Sequence, residues 1–130
     1  MTQDIRWKQR FSNFEKAFIQ LSEFLDKDEL NKFELQGLIK CFEYTFELAW
    51  KTLKDYLENE GFDVNSPRNT IQTAFQANLI SDGHMWIDAL EKRNLRTHTY
   101  NEDLAKEAEN LIRANYFSII SELYITLKRL

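Results

Sequence analysis

The chain contains only three glycines and one proline among its 130 residues, so it has few positions at which tight turns form readily. β-Sandwiches and barrels need a turn signal every ~8–12 residues, and this composition argues against them. The remaining fold class is one of long helices joined by few turns. With 43% hydrophobic and 29% charged residues, the chain has the composition of a globular protein, and its length predicts a single domain over residues 1–130.

The first predicted helix runs from Ile5 to about Asp26 and is amphipathic. Its apolar residues follow one another at spacings of three and four, which places them on one face: Trp7, Phe11, Phe14, Phe18, Leu21 and Leu25. The charged residues 26–29 then form a solvated corner. We therefore expect this helix to pack on the core through a single stripe.

The second predicted helix, from about Phe33 to Glu60, carries two adjoining apolar stripes. Burial on two sides makes it central to a bundle, or gives it a second face toward a partner chain. Glu43 and Glu47 are expected on its solvated face, with Glu47 paired to Lys51 one turn later. Gly61 ends the helix, because the position after a helix usually needs a left-handed residue.

Ser66 and Pro67 predict the start of a third helix. A serine oxygen can cap the free amides, and proline occupies the first helical position without losing a needed donor. The helical pattern continues through Leu79. Phe75 is among the apolar residues that this pattern directs inward.

The last part of the chain predicts a short helix followed by a long one. The short helix covers roughly residues 84–95, and the long one runs to about Lys128 with Leu104 on its apolar face. Thr99, in a capping box, and Asn101 are rival caps for its start. The predicted architecture is all-α, an up-and-down four-helix bundle with an extra short helix.

Charge and the absence of long apolar runs restrict where the protein acts and what it contacts. The net charge of −4 argues against broad nucleic-acid binding, so RNA or a nucleotide would need a local basic patch. No apolar run exceeds three residues, and the N-terminus has no hydrophobic segment after a basic start, which predicts no membrane contact and no signal peptide. The single cysteine, Cys41, cannot form an internal disulfide. We expect a cytoplasmic protein.

The most concentrated polar cluster lies at the break between the last two predicted helices, in residues 92–100. Arg93 and His98 are five positions apart, and an unbroken helix would point them about 140° away from each other, since each residue turns roughly 100°. The break lets them converge. Lys92, Arg93 and Arg96, close to the positive end of the last helix, predict a phosphate-binding site in an otherwise acidic chain.

Two side chains of this cluster suit acid–base and phosphate chemistry. Histidine titrates near neutral pH, so His98 can act as a general acid or base. The guanidinium of Arg93 offers a fork of donors to a phosphate or to a developing pentacoordinate phosphorus. The alternative is ordinary, because an arginine near a helix C-terminus is favourable against the helix dipole and a histidine between helices is commonly just solvated.

The motif Arg93-x-x-x-x-His98-x-Tyr100 resembles the Arg-X4-His-X-Tyr signature of HEPN domains, named for higher eukaryotes and prokaryotes nucleotide-binding. In particular, the chain is similar to the branch that is encoded beside a minimal nucleotidyltransferase, the nucleotidyltransferase substrate-binding proteins. The similarity extends over most of the chain. The segments that carry it are Phe42–Lys51, Ser66-Pro67-Arg68, Ala74-Phe75, Trp86 and Arg93-Asn94-Leu95.

The resemblance implies a HEPN-like bundle that forms a homodimer, with Arg93 and His98 of both protomers in one composite cleft. In toxin members of the family this cleft is a metal-independent ribonuclease site, so no metal or other cofactor is expected. By position, His98 would move the proton of a ribose 2′-hydroxyl or of the leaving oxygen, and Arg93 would stabilise the phosphorane. Asn94 would orient one of the two.

Tyr100 corresponds to the tyrosine that the partner nucleotidyltransferase modifies with AMP in this family, which silences the nuclease. An anionic adenylate beside the cleft would block a phosphate site sterically and by charge. Taken alone, Tyr100 is also consistent with an ordinary amphipathic tyrosine at a helix start, and Asn94 with a helix C-cap.

Three functions follow from these residues. The first is an endoribonuclease toxin of a toxin–antitoxin pair, neutralised by AMP transfer from a nucleotidyltransferase encoded nearby. The second is a non-catalytic subunit that binds a nucleotide or another substrate and presents it to that nucleotidyltransferase. The third is a helical adaptor whose apolar stripes serve only assembly. The intact Arg93, His98 and Tyr100 pattern favours the first.

Overall fold

The computed structural model describes residues 3–94 and 101–130, and within them every regular element is helical. The elements, in chain order, are α1 (Gln3–Leu25), α2 (Lys32–Asn59), α3 (Pro67–Gln76), α4 (Gly83–Glu91), α5 (Glu102–Leu111), a π-helical segment (Ile112–Tyr116) and α6 (Phe117–Lys128). The last three are continuous, because the junction residues keep right-handed helical backbone angles, and we call them the C-terminal rod. The predicted all-α bundle is confirmed.

Local capping explains where three of the helices begin. Asn31 and Glu34 form a reciprocal capping box at the start of α2, in which each side chain accepts the backbone N–H of the other residue. Ser66 Oγ accepts the N–H of Asn69 at 3.1 Å, as its place before Pro67 predicts. At the start of α5, Asn101 Oδ1 accepts two backbone N–H groups, so Asn101 caps this helix.

Two helices end earlier than their sequence patterns predict. α3 stops at Gln76 rather than Leu79, because Asn78 turns the chain with a left-handed φ of 63°. α4 stops at Glu91 instead of reaching Leu95. After Leu90 the next four residues are charged or polar, so no apolar side chain anchors a further turn to the core. Arg93 and Asn94 consequently follow the helix rather than belong to it.

The buried residues of all the helices form one hydrophobic cluster, with α2 at its centre. α2 packs along α1 and also contacts α3, α5 and α6, which confirms the central position that its two apolar stripes predict. Phe42 of α2 stacks on Tyr116 of the π-helical segment with ring centroids 5.4 Å apart, and Phe46 packs against Trp86 of α4. Phe75 and Leu104, which the pattern directs inward, are instead exposed.

The π-helical segment also joins the rod to α1. Arg113 donates hydrogen bonds to the carbonyl oxygens of Leu25 and Lys27, at the C-terminal end of α1, and to the buried carboxylate of Glu109. Carbonyls at a helix C-terminus lack intrahelical partners, and a guanidinium satisfies them while complementing the helix dipole. Arg113 therefore links the C-terminal end of α1 to the C-terminal rod by hydrogen bonds.

Of the helices in residues 3–94 and 101–130, none combines the length and the apolar character that crossing a membrane requires.

Candidate functional site

The candidate site begins where α4 ends against α2. α4 has nine residues, and Trp86 and Ala89 anchor it by burying their side chains in the core. Asp82 caps its first turn by accepting the N–H of Met85 at 3.0 Å. Because α4 is fixed at its start and along its inner face, Arg93, just after it, lies at the surface of α2.

Arg93 forms an ion pair across this junction with Glu47 of α2. Its Nη1 lies 3.3 Å from Glu47 Oε1, and both side chains are about two-fifths exposed, at 40% and 38%. The second carboxylate oxygen of Glu47 accepts the indole N–H of Trp50 at 3.0 Å. The prediction that Glu47 pairs with Lys51 is wrong, because Arg93 and Trp50 approach the carboxylate, while the ammonium of Lys51 lies over the Trp50 ring.

The Arg93 guanidinium keeps unused donor capacity. Its Nη1 atom is buried, and among the residues that the structure describes it has no well-aligned hydrogen-bond acceptor, although the Glu47 carboxylate lies within ion-pair distance. The side chain as a whole is 40% exposed, and a guanidinium has five N–H donors, so the donors that Glu47 does not use suit an anion such as a phosphate.

A second set of polar contacts links α4 to the C-terminal rod next to the site. The hydroxyl of Tyr116 donates a hydrogen bond to Asp88 Oδ2 at 2.7 Å, and Asp88 Oδ1 lies 3.2 Å from the ammonium of Lys92. The bond from Tyr116, together with Lys92, holds the pKa of the Asp88 carboxyl below its usual value. Burial, and then the neighbouring carboxylate, raise the pKa of Tyr116 above that of a free tyrosine.

The described residues contain only part of the predicted site. Arg93 and Lys92 lie together at the end of α4, and Asn94 beside them is exposed. Arg96, His98 and Tyr100 lie outside the described residues. The convergence of Arg93 with His98 and the role of Tyr100 therefore stay predictions.

Sequence reasoning missed three residues that shape this region: Glu47, Asp88 and Tyr116. Helical spacing correctly predicts that Tyr116 is buried, but it contains no signal for the hydrogen bond to Asp88. An aspartate in the middle of a helix between two apolar residues, as in Ile87-Asp88-Ala89, was the available hint that a buried partner exists.

Comparisons with known proteins agree with this architecture. The sequence model of a family described as nucleotidyltransferase substrate binding protein like matches residues 9–129. A crystal structure of a protein from Thermus thermophilus superposes with a TM-score of 0.77 at 33% identity, covering 89% of this chain and 97% of that one.

A solved structure and a sequence from Haemophilus influenzae are more distant. The structure, described as revealing the fold of a substrate binding domain of a nucleotidyltransferase, has a TM-score of 0.64 at 20% identity and covers 98% of this chain and 99% of its own. The sequence, named Probable ribonuclease HepT, is 24% identical in an alignment of 110 positions that covers 73% of this chain and 71% of that protein. The first of these supports the fold alone.

Proposed function

Since the chain belongs to the nucleotidyltransferase substrate-binding protein family, within the HEPN domains, we propose that it is a metal-independent endoribonuclease with its site at Arg93 and His98. In this proposal a nucleotidyltransferase is the partner that restrains the nuclease, and the two form a toxin–antitoxin pair. The similarity to a protein named Probable ribonuclease HepT supports the activity.

The observation that carries the proposal is the state of the Arg93 guanidinium. Glu47 holds it at the surface of α2, its Nη1 atom is buried, and no well-aligned acceptor for that atom lies among the described residues. A preorganised cationic donor of this kind is what a developing phosphorane requires, because charge is stabilised without reorganising the site.

The proposed reaction is an internal transfer within RNA. His98 takes the proton from a ribose 2′-hydroxyl, the 2′ oxygen attacks the adjacent phosphorus, and the bond from phosphorus to the 5′ oxygen breaks. The leaving 5′ oxygen takes up a proton from solvent and His98 returns its proton to solvent, which gives a 2′,3′-cyclic phosphate and a 5′-hydroxyl. Arg93 stabilises the phosphorane, Asn94 orients the reacting groups, and Lys92 and Arg96 attract the flanking phosphates.

The active unit in this proposal is a homodimer whose cleft combines the motif residues of both protomers. Two copies of the cationic segment give an acidic chain enough local positive charge to hold RNA. The mass of the protein in solution at micromolar concentration tests this part. A monomeric mass together with full activity would contradict it.

Regulation is proposed to occur at Tyr100. Its hydroxyl attacks the α-phosphorus of ATP in the partner nucleotidyltransferase, the tyrosine oxygen becomes bonded to AMP, and pyrophosphate leaves. The added phosphate places negative charge beside the cationic cleft and repels the RNA backbone. Intact mass after incubation with the partner and ATP measures the modification, and Tyr100→Phe should remain unmodified and active.

The first experiment is cleavage of a labelled RNA pool in excess EDTA by the original protein, Arg93→Ala and His98→Ala. We expect cleavage by the original alone. Arg129→Ala is the control, since it removes an exposed arginine near the far end of the C-terminal rod. Cleavage by His98→Ala at the original rate, or no cleavage by the original protein, would contradict the proposal.

The family description also favours a second function, a non-catalytic subunit that binds a nucleotide and presents it to the nucleotidyltransferase. The net charge of −4 is easier to reconcile with a small ligand than with a long RNA. Calorimetric titration with ATP and other nucleotides, with and without the partner, separates the two. Binding heat without RNA cleavage would favour this function.

A further inference from the structure

We propose that the Tyr116 hydroxyl is a positioning group for Arg93, which it serves by holding Asp88 and with it the last turn of α4. The expected change in kcat rests on the proposed function. The expected displacement of Arg93 rests on the geometry alone. Neither Tyr116 nor Asp88 belongs to the motif that carries the resemblance.

α4 is too short to be stable without contacts to the rest of the fold. Isolated helices shorter than ~12–15 residues are marginal in water, and α4 has nine residues. Trp86 and Ala89 bury its inner face, while Leu90, just before the end of the helix, is only partly buried against the core. Two side chains of this last turn bond to other elements: Glu91 pairs with Arg68 of α3, and Asp88 accepts from the buried Tyr116. The pair with Arg68 is exposed on both sides and contributes little, so the bond to Asp88 is the stronger of the two.

The π-helical segment places the partner of Asp88. Tyr116 ends this segment, is completely buried, and stacks its ring on Phe42 of α2. The stacking leaves the ring little freedom, so its hydroxyl has a defined place, 2.7 Å from Asp88 Oδ2. π-Helical segments are rare and often occur at functional sites, because they shift side chains out of the regular helical register.

The position of Arg93 therefore depends mainly on two contacts. Asp88 ties the end of α4 to the C-terminal rod through Tyr116, and Glu47 receives the guanidinium on α2. Without the first contact, the end of α4 can move while the fold persists, since Trp86 stays in the core. A small displacement of a group that stabilises a transition state lowers the rate more than it lowers binding.

The chain supplies a matched control on the same rod. The hydroxyl of Tyr124 also donates to a carboxylate, Glu15 Oε2, at 2.6 Å, but this acceptor lies on α1 and not on α4. Tyr116→Phe and Tyr124→Phe thus remove the same group and the same kind of bond. Only the first releases the segment that carries Arg93.

The test measures kcat and KM for RNA cleavage by both variants, together with the NMR signal of the Arg93 Nε–H group, assigned through Arg93→Lys. We expect Tyr116→Phe to lower kcat about tenfold with KM unchanged, and Tyr124→Phe to change kcat less than about twofold. The Arg93 signal should shift in the first variant only. Equal effects of the two variants on kcat and on the signal would overturn the proposal.

Asp88 gives a second pair of variants. Asp88→Asn keeps an oxygen that can accept from Tyr116, whereas Asp88→Ala removes it, so the asparagine variant should retain more of the kcat and the original Arg93 signal. Equal loss in both would overturn the role of the hydrogen bond. If the original protein cuts no RNA, the proposed function fails. The NMR signal of Arg93 then tests by itself whether Tyr116 positions this residue. A signal that Tyr116→Phe leaves unchanged would overturn the positioning role.

Discussion

The guanidinium of Arg93 lies 3.3 Å from the carboxylate of Glu47, and this contact joins the segment after α4 to the middle of α2. Both side chains are partly exposed, so water and salt screen the attraction, and the pair adds little to the stability of the fold. Its consequence is geometric, since it fixes a cation at the surface of the helix that forms the centre of the core.

Arg93→Ala should therefore change the free energy of unfolding by less than about 1 kcal/mol, because exposed ion pairs contribute only that much. If the proposed function is right, RNA cleavage should fall by about 10²–10³, the effect of removing one preorganised donor. Urea unfolding and the cleavage assay measure the two quantities on the same preparation. A loss of stability above about 3 kcal/mol would make Arg93 a structural residue instead.

Arg113→Ala should destabilise the fold by about 3 kcal/mol, because it leaves the buried Glu109 carboxylate with only its longer contact to Lys106, at 3.4 Å. The change also removes the donors to the last carbonyls of α1. Thermal and urea unfolding measure the effect. Lys8→Ala is the control, since its ion pair with Asp4 is exposed on both sides, and it should cost less than about 1 kcal/mol. Similar values for the two variants would disprove the role of Arg113.

Tyr116 should make the fold sensitive to alkaline pH. Its pKa is raised in the folded protein, so the stability that the neutral hydroxyl contributes is fully present below about pH 10, the value of an unfolded tyrosine, and is lost as pH rises above it. Tyr116→Phe should be less stable than the original at pH 7, and this difference should narrow at pH 11.

Urea unfolding at both pH values tests the prediction. Tyr44→Phe, at an exposed ring, controls for the loss of a hydroxyl at pH 7 and should have no measurable effect there. A difference between Tyr116→Phe and the original protein that stays constant from pH 7 to pH 11 would count against the assignment.

Gly61→Ala should destabilise the fold by about 1 kcal/mol, although nothing lies within 4 Å of the position where a new Cβ would stand. The cost comes from the backbone, because Gly61 has a φ of +94° after the end of α2. Gly61→Asn should cost less, since asparagine tolerates left-handed angles better than alanine. The midpoints of urea unfolding of the two variants and the original protein test this prediction. An alanine variant as stable as the original would contradict a backbone cost at Gly61.

The fold was predictable from local chemistry. Side chains at spacings of three and four define α1 and α2, Gly61 ends α2, and Ser66 with Pro67 begins α3. These signals act between residues that are neighbours in the chain, so no knowledge of the tertiary structure is needed to read them. The family could also be identified from the sequence, because its motif keeps a fixed spacing.

Only the tertiary structure decided the partners of the polar side chains. Glu47 had Lys51 one turn away on its own helix, yet it pairs with Arg93, which reaches it from the end of α4. Tyr116 and Asp88 meet because a π-helical segment in the rod packs against a short helix. Whether an apolar side chain is buried depends on the helix face that it occupies, and the periodicity of the sequence predicts that face. A hydrogen bond or ion pair depends on ångström-scale distances between distant segments, which are set only when the core packs.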